Sequence, residues 1–161
     1  MADRRLASAK DFFNEVVEPN YNDFMRSRST FRAAFNVSVS LFHMADWVFE
    51  HSKASAERAL GTTFQARPEL WRLVESQVRR AAYIRDVANA SKHVRLTHQP
   101  SSGLTRIANT YITSVSFQSN AFQNNAFQTG ELRIDDNNQA IVFDDCAKDV
   151  YDFWKGLITS L

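Results

Sequence analysis

The chain has 161 residues, 44% hydrophobic and 23% charged, with a formal net charge of +1. That is enough for one domain with its own core and too little for two ordinary ones. The near-neutral charge excludes no partner and selects none by itself; its distribution along the chain says more.

Residues 4–26 read as a first helix. Leu6, Ala9, Phe12, Phe13, Val16, Val17, Tyr21 and Phe24 recur at intervals of three and four, Asp3 stands where a cap belongs, and Pro19 predicts a kink or two helical pieces. The stretch "SRSTFRAAFNVSVSLFHMADWVFEHSK" predicts a second helix capped by Ser29 or Thr30. Apolar residues cover more than half of its circumference, which places it in the middle of a bundle. Its polar stripe runs through Asn36, Ser40 and His43 to Trp47 and Glu50. A short helix at Ser55–Leu60 stops at Gly61, and Pro68 then opens a long third helix, "PELWRLVESQVRRAAYIRDVANASKHVRL".

From Leu104 the periodicity changes. In "LTRIANTYITSVSF" the residues Ile107, Tyr111, Val115 and Phe117 alternate, which predicts a strand. "ELRI" and "AIVF" flank the turn-forming "DDNNQ" and predict a hairpin. Between strand and hairpin, "FQSNAFQNNAFQ" repeats with Phe117, Phe122 and Phe127 five apart, a period of neither helix nor strand. It reads as a loop anchored by Phe or as an aromatic ladder for a partner. Asp144 or Asp145 caps a final helix with Ala147, Val150, Phe153, Trp154, Leu157 and Ile158 on one face. The expected architecture is one mostly helical α+β domain: a helical core over 1–98, a β insertion over 104–143 and a closing helix over 145–161.

Only Cys146 is available for thiol chemistry, which fits a reducing cytoplasm. The first residues lack a signal-peptide core, and no stretch approaches a membrane span. A soluble cytoplasmic protein without a membrane partner is expected. Between Arg67 and His98 lie seven Arg or Lys against three acids, whereas Glu131–Leu161 carries seven acids against three bases. The basic segment is a possible nucleic-acid surface.

The chemistry concentrates in "RDVANASKH". At about 100° per residue, Trp71, Val74, Val78, Ala82, Arg85, Asn89 and Lys92 share one stripe of the third helix, with His93 alongside. Apolar for its first half and polar for its second, the stripe either outruns its partners or enters a cleft where polar groups satisfy one another. The second helix offers His43 and, three residues on, Asp46, which side-by-side packing would bring to Asn89 or His93. His93 is then an acid–base candidate, Arg85 a phosphate or carboxylate fork, Lys92 an added charge and Asn89 an orienting amide. Helix-end electrostatics alone accounts for Lys92, Arg95 and His98. A small-molecule pocket lined by His43, Trp47 and His93 is a further reading. His43, His51, His93 and His98 form no HxxxH pair with an adjacent acid, so neither a metal nor a cofactor is called for.

"RDVANASKH" resembles the Arg-to-His signature of HEPN domains, and "ANASKH" resembles a phrase found in bacterial proteins of unassigned function. The resemblance implies a helical bundle that cleaves or binds RNA without metal, often as a dimer. It would make Arg85 the signature arginine, Asp86 its polar follower and His93 the signature histidine. Seven residues separate the two here, one more than the family pattern, and the predicted hairpin is an addition to it. The implied partners are RNA or a nucleotide and a second copy of the chain. The alternative is a non-catalytic interaction or regulatory module of a stress or defence system.

Overall fold

A computed structural model describes residues 5–93, 96, 102, 104–113, 130–137 and 139–161. Among the described residues six helices, α1 (Ala9–Phe12), α2 (Glu18–Arg26), α3 (Phe31–Leu60), α4 (Arg67–Gln77), α5 (Ala81–His93) and α6 (Phe143–Ser160), accompany three short strands, β1 (Thr110–Ile112), β2 (Leu132–Asp136) and β3 (Gln139–Val142). The domain is α+β and mostly helical, as the periodicity predicts. No helix among the described residues is long and apolar enough to cross a membrane.

α3 is the central post, packing against all five other helices. Val37, Leu41, Met44 and Val48, at three- and four-residue spacing, are fully buried along it. α6 closes the core with Phe143, Cys146, Val150 and Trp154, all without solvent exposure. The Trp154 indole N–H donates to the Leu41 carbonyl at 3.0 Å, joining α6 to the middle of α3. Tyr151 ties α6 to α2 by stacking on Tyr21 at 3.9 Å and donating to Glu18 at 2.8 Å. The Cys146 thiol, sunk in this core, is pushed up to about 12 by burial, which removes it as a nucleophile.

The N-terminal helix departs from expectation at its start, which is Ala9 and not near residue 4. Its cap is Ser8, whose hydroxyl accepts from the Asp11 N–H at 3.0 Å, whereas Asp3 lies outside the described residues. Of the two outcomes expected at Pro19, the chain takes two helical pieces: a π-helical turn, Phe13–Val17, links α1 to α2, and the proline sits in the first turn of α2. Proline supplies no N–H and its ring crowds the carbonyl four residues back. The widened turn just before it relieves that conflict without breaking the rod.

The predicted second and short helices are one element, α3, broken in direction at Ser52, whose φ of −142° and ψ of 16° are not helical. Gly61 ends it with φ 66°, as expected of a left-handed cap, and the Thr62 N–H returns to the Glu57 carbonyl at 3.2 Å. The largest departure is the third helix. It is not continuous: Val78 is extended (φ −124°, ψ 90°), and the Ala81 N–H bonds to the Val78 carbonyl at 2.8 Å in a tight turn between α4 and α5. Neither Pro nor Gly marks this break. Tertiary pairing of Arg80 with Asp149 at 3.0 Å and Asp145 at 3.5 Å, and of Arg85 with Glu75, holds it.

The predicted strand over 104–117 is corrected as well. A 3₁₀ turn occupies Ile107–Asn109, because the Asn109 side chain accepts from the Thr105 and Arg106 amides, and among the described residues of this span only Thr110–Ile112 is a strand. Val115 and the Phe117, Phe122 and Phe127 repeat lie outside the described residues. The predicted hairpin is two-thirds of an antiparallel sheet in the order β1-β2-β3. Ile112 opposes Leu132, Ile134 opposes Ile141, and Asp136 opposes Gln139 across a turn in which Asn137 takes φ 51°. Leu132 and Ile134 alternate inward and are fully buried. α6 follows β3 at once, so Asp144 and Asp145 occupy its first turn and Val142 is the cap residue.

Candidate functional site

Two polar clusters form where the sequence places candidates, and they divide the candidates between them. The first is centred on Arg85. One guanidinium nitrogen meets Glu75 at 2.8 Å, while Nε and a terminal nitrogen reach Asp86 Oδ1 at 3.2 and 3.1 Å. Asp86 is 1% exposed, and its other oxygen accepts from the Ser102 N–H at 2.8 Å and hydroxyl at 2.7 Å. Glu75 in turn accepts from the Trp71 indole at 2.8 Å. Glu75 and Arg85 are ten residues apart, about 15 Å along an unbroken helix. The α4–α5 turn folds that distance away. The result is a closed network in which each buried charge has opposite-charge and hydrogen-bond partners.

The second cluster lies between α3 and the C-terminal turn of α5. His43 and Asp46 are one turn apart on α3, and His43 Nδ1 meets Asp46 Oδ2 at 2.8 Å. On the other side of the ring, Lys92 Nζ approaches His43 Nε2 at 3.3 Å. An ammonium can only donate, so this contact is a hydrogen bond only when Nε2 carries a lone pair. Nδ1–H then donates to Asp46, and the ring is fixed in the tautomer whose outward nitrogen is basic. Asp46 is further approached by Arg67 at 4.0 Å, which itself pairs with Glu50 at 2.6 Å. His43 and Asp46 side chains retain 36% and 39% exposure, so solvent and ligands can reach them.

Of the expected residues, the structure thus brings together His43, Asp46 and Lys92. Asn89 is half-buried one turn before Lys92, and His93 is exposed at the end of α5. Among the described residues no hydrogen bond or ion pair joins Arg85 to His93; eight residues of helix set them about 12 Å apart along the axis. Trp47 is half-buried between two rings, stacking on Phe12 at 4.8 Å and on His51 at 5.1 Å. Its faces are occupied by the fold, so it serves as a wall and not as an open platform.

Sequence reasoning passed over Glu75, Arg67 and Ser102. Glu75 is hidden by the break, Arg67 is visible only as a helix-start residue, and Ser102 belongs to a connection without periodicity. Among the described residues no three His, Cys, Asp or Glu side chains are grouped to hold a metal. A separate cleft of about 680 Å³ opens at the α4–α5 break beside Arg79, Tyr83, Gln139 and Asp149. None of the expected site residues lines it. No protein-family model, curated protein or solved structure matches this chain.

Proposed function

We propose that this is a HEPN-like, metal-independent RNA-cleaving domain whose reacting centre is the Asp46–His43 pair facing Lys92. The observation that carries the reading is the imidazole held at Nδ1 by a carboxylate, with Nε2 turned to a lysine on a neighbouring helix. Asp46 orients the ring and stabilises the imidazolium formed when Nε2 takes a proton. Lys92 then leaves Nε2 for a non-bridging phosphate oxygen.

In the proposed step His43 removes the 2′-hydroxyl proton. The 2′-oxygen bonds to phosphorus while the bond to the 5′-oxygen breaks, giving a 2′,3′-cyclic phosphate. The exposed His93 donates the proton that the leaving 5′-oxygen takes up, and Asn89 orients the phosphate between them. Arg85, its charge already answered by Glu75 and Asp86, holds α5 in place instead of binding phosphate. The intact protein works without metal or cofactor in this reading, alone or as a pair of copies.

Replacing His43 by alanine is expected to lower cleavage of single-stranded RNA by about 10²–10⁴-fold with an unchanged Tm. Cleavage at the wild-type rate by the folded variant would remove the proposal.

A second reading is favoured by the commitment of Arg85 to two carboxylates and by the outward position of His93. The signature pair is then structural, and the domain is a non-catalytic interaction or regulatory module of a stress or defence system. An inactive wild-type protein that assembles with itself or a partner through the Lys92 end of α5, and loses assembly on Lys92→Glu, is the outcome this reading expects.

A further inference from the structure

Beside His43 a groove of about 270 Å³ runs between the N-terminal helix and α3. Phe12, Val16 and Val39 give it an apolar lining, and Asn20, Asn36, Ser40 and His43 line it with polar groups. Phe12 immediately precedes the π-turn and Val16 lies within it, so the widened turn forms part of this lining. Phe12, 8% exposed, stacks on Trp47 with ring planes 8° apart.

The groove's chemistry is specific. Its faces are apolar, yet Asn20 and Asn36 each carry a carboxamide with no hydrogen-bond partner among the described residues. An aliphatic ligand would leave both amides unanswered, and a sugar-phosphate would meet apolar walls. A flat heterocycle with donors and acceptors along its rim satisfies both. The volume is below the roughly 300–1,000 Å³ of pockets for drug-sized ligands, which suits one ring system. Lys92, across the His43 ring, supplies a cation for the phosphate attached to it.

We infer that this groove receives one unpaired base of a single-stranded RNA, next to the phosphate at His43; the inference rests on the RNA reading above. Phe12, Val16 and Val39 contact the ring, and Asn20 and Asn36 read its hydrogen-bonding edge. A base in a duplex has that edge occupied, so the site selects single strands.

The test measures binding of the full chain to labelled hexamers of rA, rC, rG and rU and to the four nucleoside 5′-monophosphates. One hexamer is expected to bind best, and the Asn20→Ala/Asn36→Ala double variant to lose about tenfold of that affinity, falling to the level of the other three. Asn36 is exposed and Asn20 half-buried, so the variant folds, as an unchanged Tm verifies. His43→Ala should lower cleavage by the factor given for the active centre. Equal binding of all four hexamers by wild type and double variant overturns the groove assignment, while a cleavage defect in His43→Ala still upholds the active centre. Monophosphates binding as tightly as hexamers would make a free nucleotide the occupant and overturn the RNA subsite. No binding of any hexamer overturns both.

Discussion

Arg85→Ala is expected to destabilise the protein by about 3–5 kcal/mol, a fall in Tm of roughly 6–20 °C for a chain of this size. The guanidinium makes contacts in two directions, to Glu75 and to Asp86, and its side chain is 20% exposed. Its removal leaves Asp86, 1% exposed, with only the two Ser102 donors among the described residues to answer a full charge. It also frees the clasp between α4 and α5, which have no continuous helix between them. Lysine at 85 recovers only part of the loss, because one ammonium cannot imitate a fork spanning two carboxylates. Thermal unfolding of the three proteins reads this directly. An alanine variant that melts with wild type but no longer binds RNA would show that the guanidinium serves a ligand instead.

Trp154→Ala is expected to cost about 3–5 kcal/mol. The indole has no solvent exposure, packs at 5.1 Å from the Phe153 ring and 6.4 Å from Trp71, and bonds to the Leu41 carbonyl on the central helix. Truncation leaves a large void where α6 meets α3, and close-packed neighbours relax into it only partly. Trp154→Phe keeps most of the volume and forfeits the hydrogen bond, so its cost should be about 1 kcal/mol. Chemical denaturation with a common m-value separates the two. Equal losses for Ala and Phe would mean that the hydrogen bond, and not the volume, dominates.

Local grammar was readable where a residue's own chemistry sets the backbone. Gly61 ends a helix because a left-handed cap suits it, and Asn137, at φ 51°, suits the turn between two strands. The buried spacing of Val37, Leu41, Met44 and Val48 announces a central helix. The turn at Val78–Arg80 was not readable, since no Pro or Gly interrupts "SQVRRAAY" and the pairings that hold it reach residues far along the chain. That one turn also shifts the phase of everything after it. The stripe drawn from Trp71 through Arg85 to Lys92 assumes a straight rod, and the fold divides it: Arg85 joins the α4 side and Lys92 the α3 side. His43–Asp46 is legible from spacing alone because both lie on one helix. Their meeting with α5 was placed at Asn89 or His93, and it falls on Lys92, close in register because both elements are regular near the contact.

Cys146 gives the domain a built-in reporter. As the chain's single thiol, packed against the core with its hydrogen aimed at the Val142 carbonyl 3.4 Å away, it is shielded from reagents while the first turn of α6 stays docked. Alkylation at neutral pH therefore has to wait for that turn to lift, and its rate follows the population of molecules in which it has lifted. Mass spectrometry after timed exposure would chart how firmly the sheet-to-helix junction is latched, without any engineered probe.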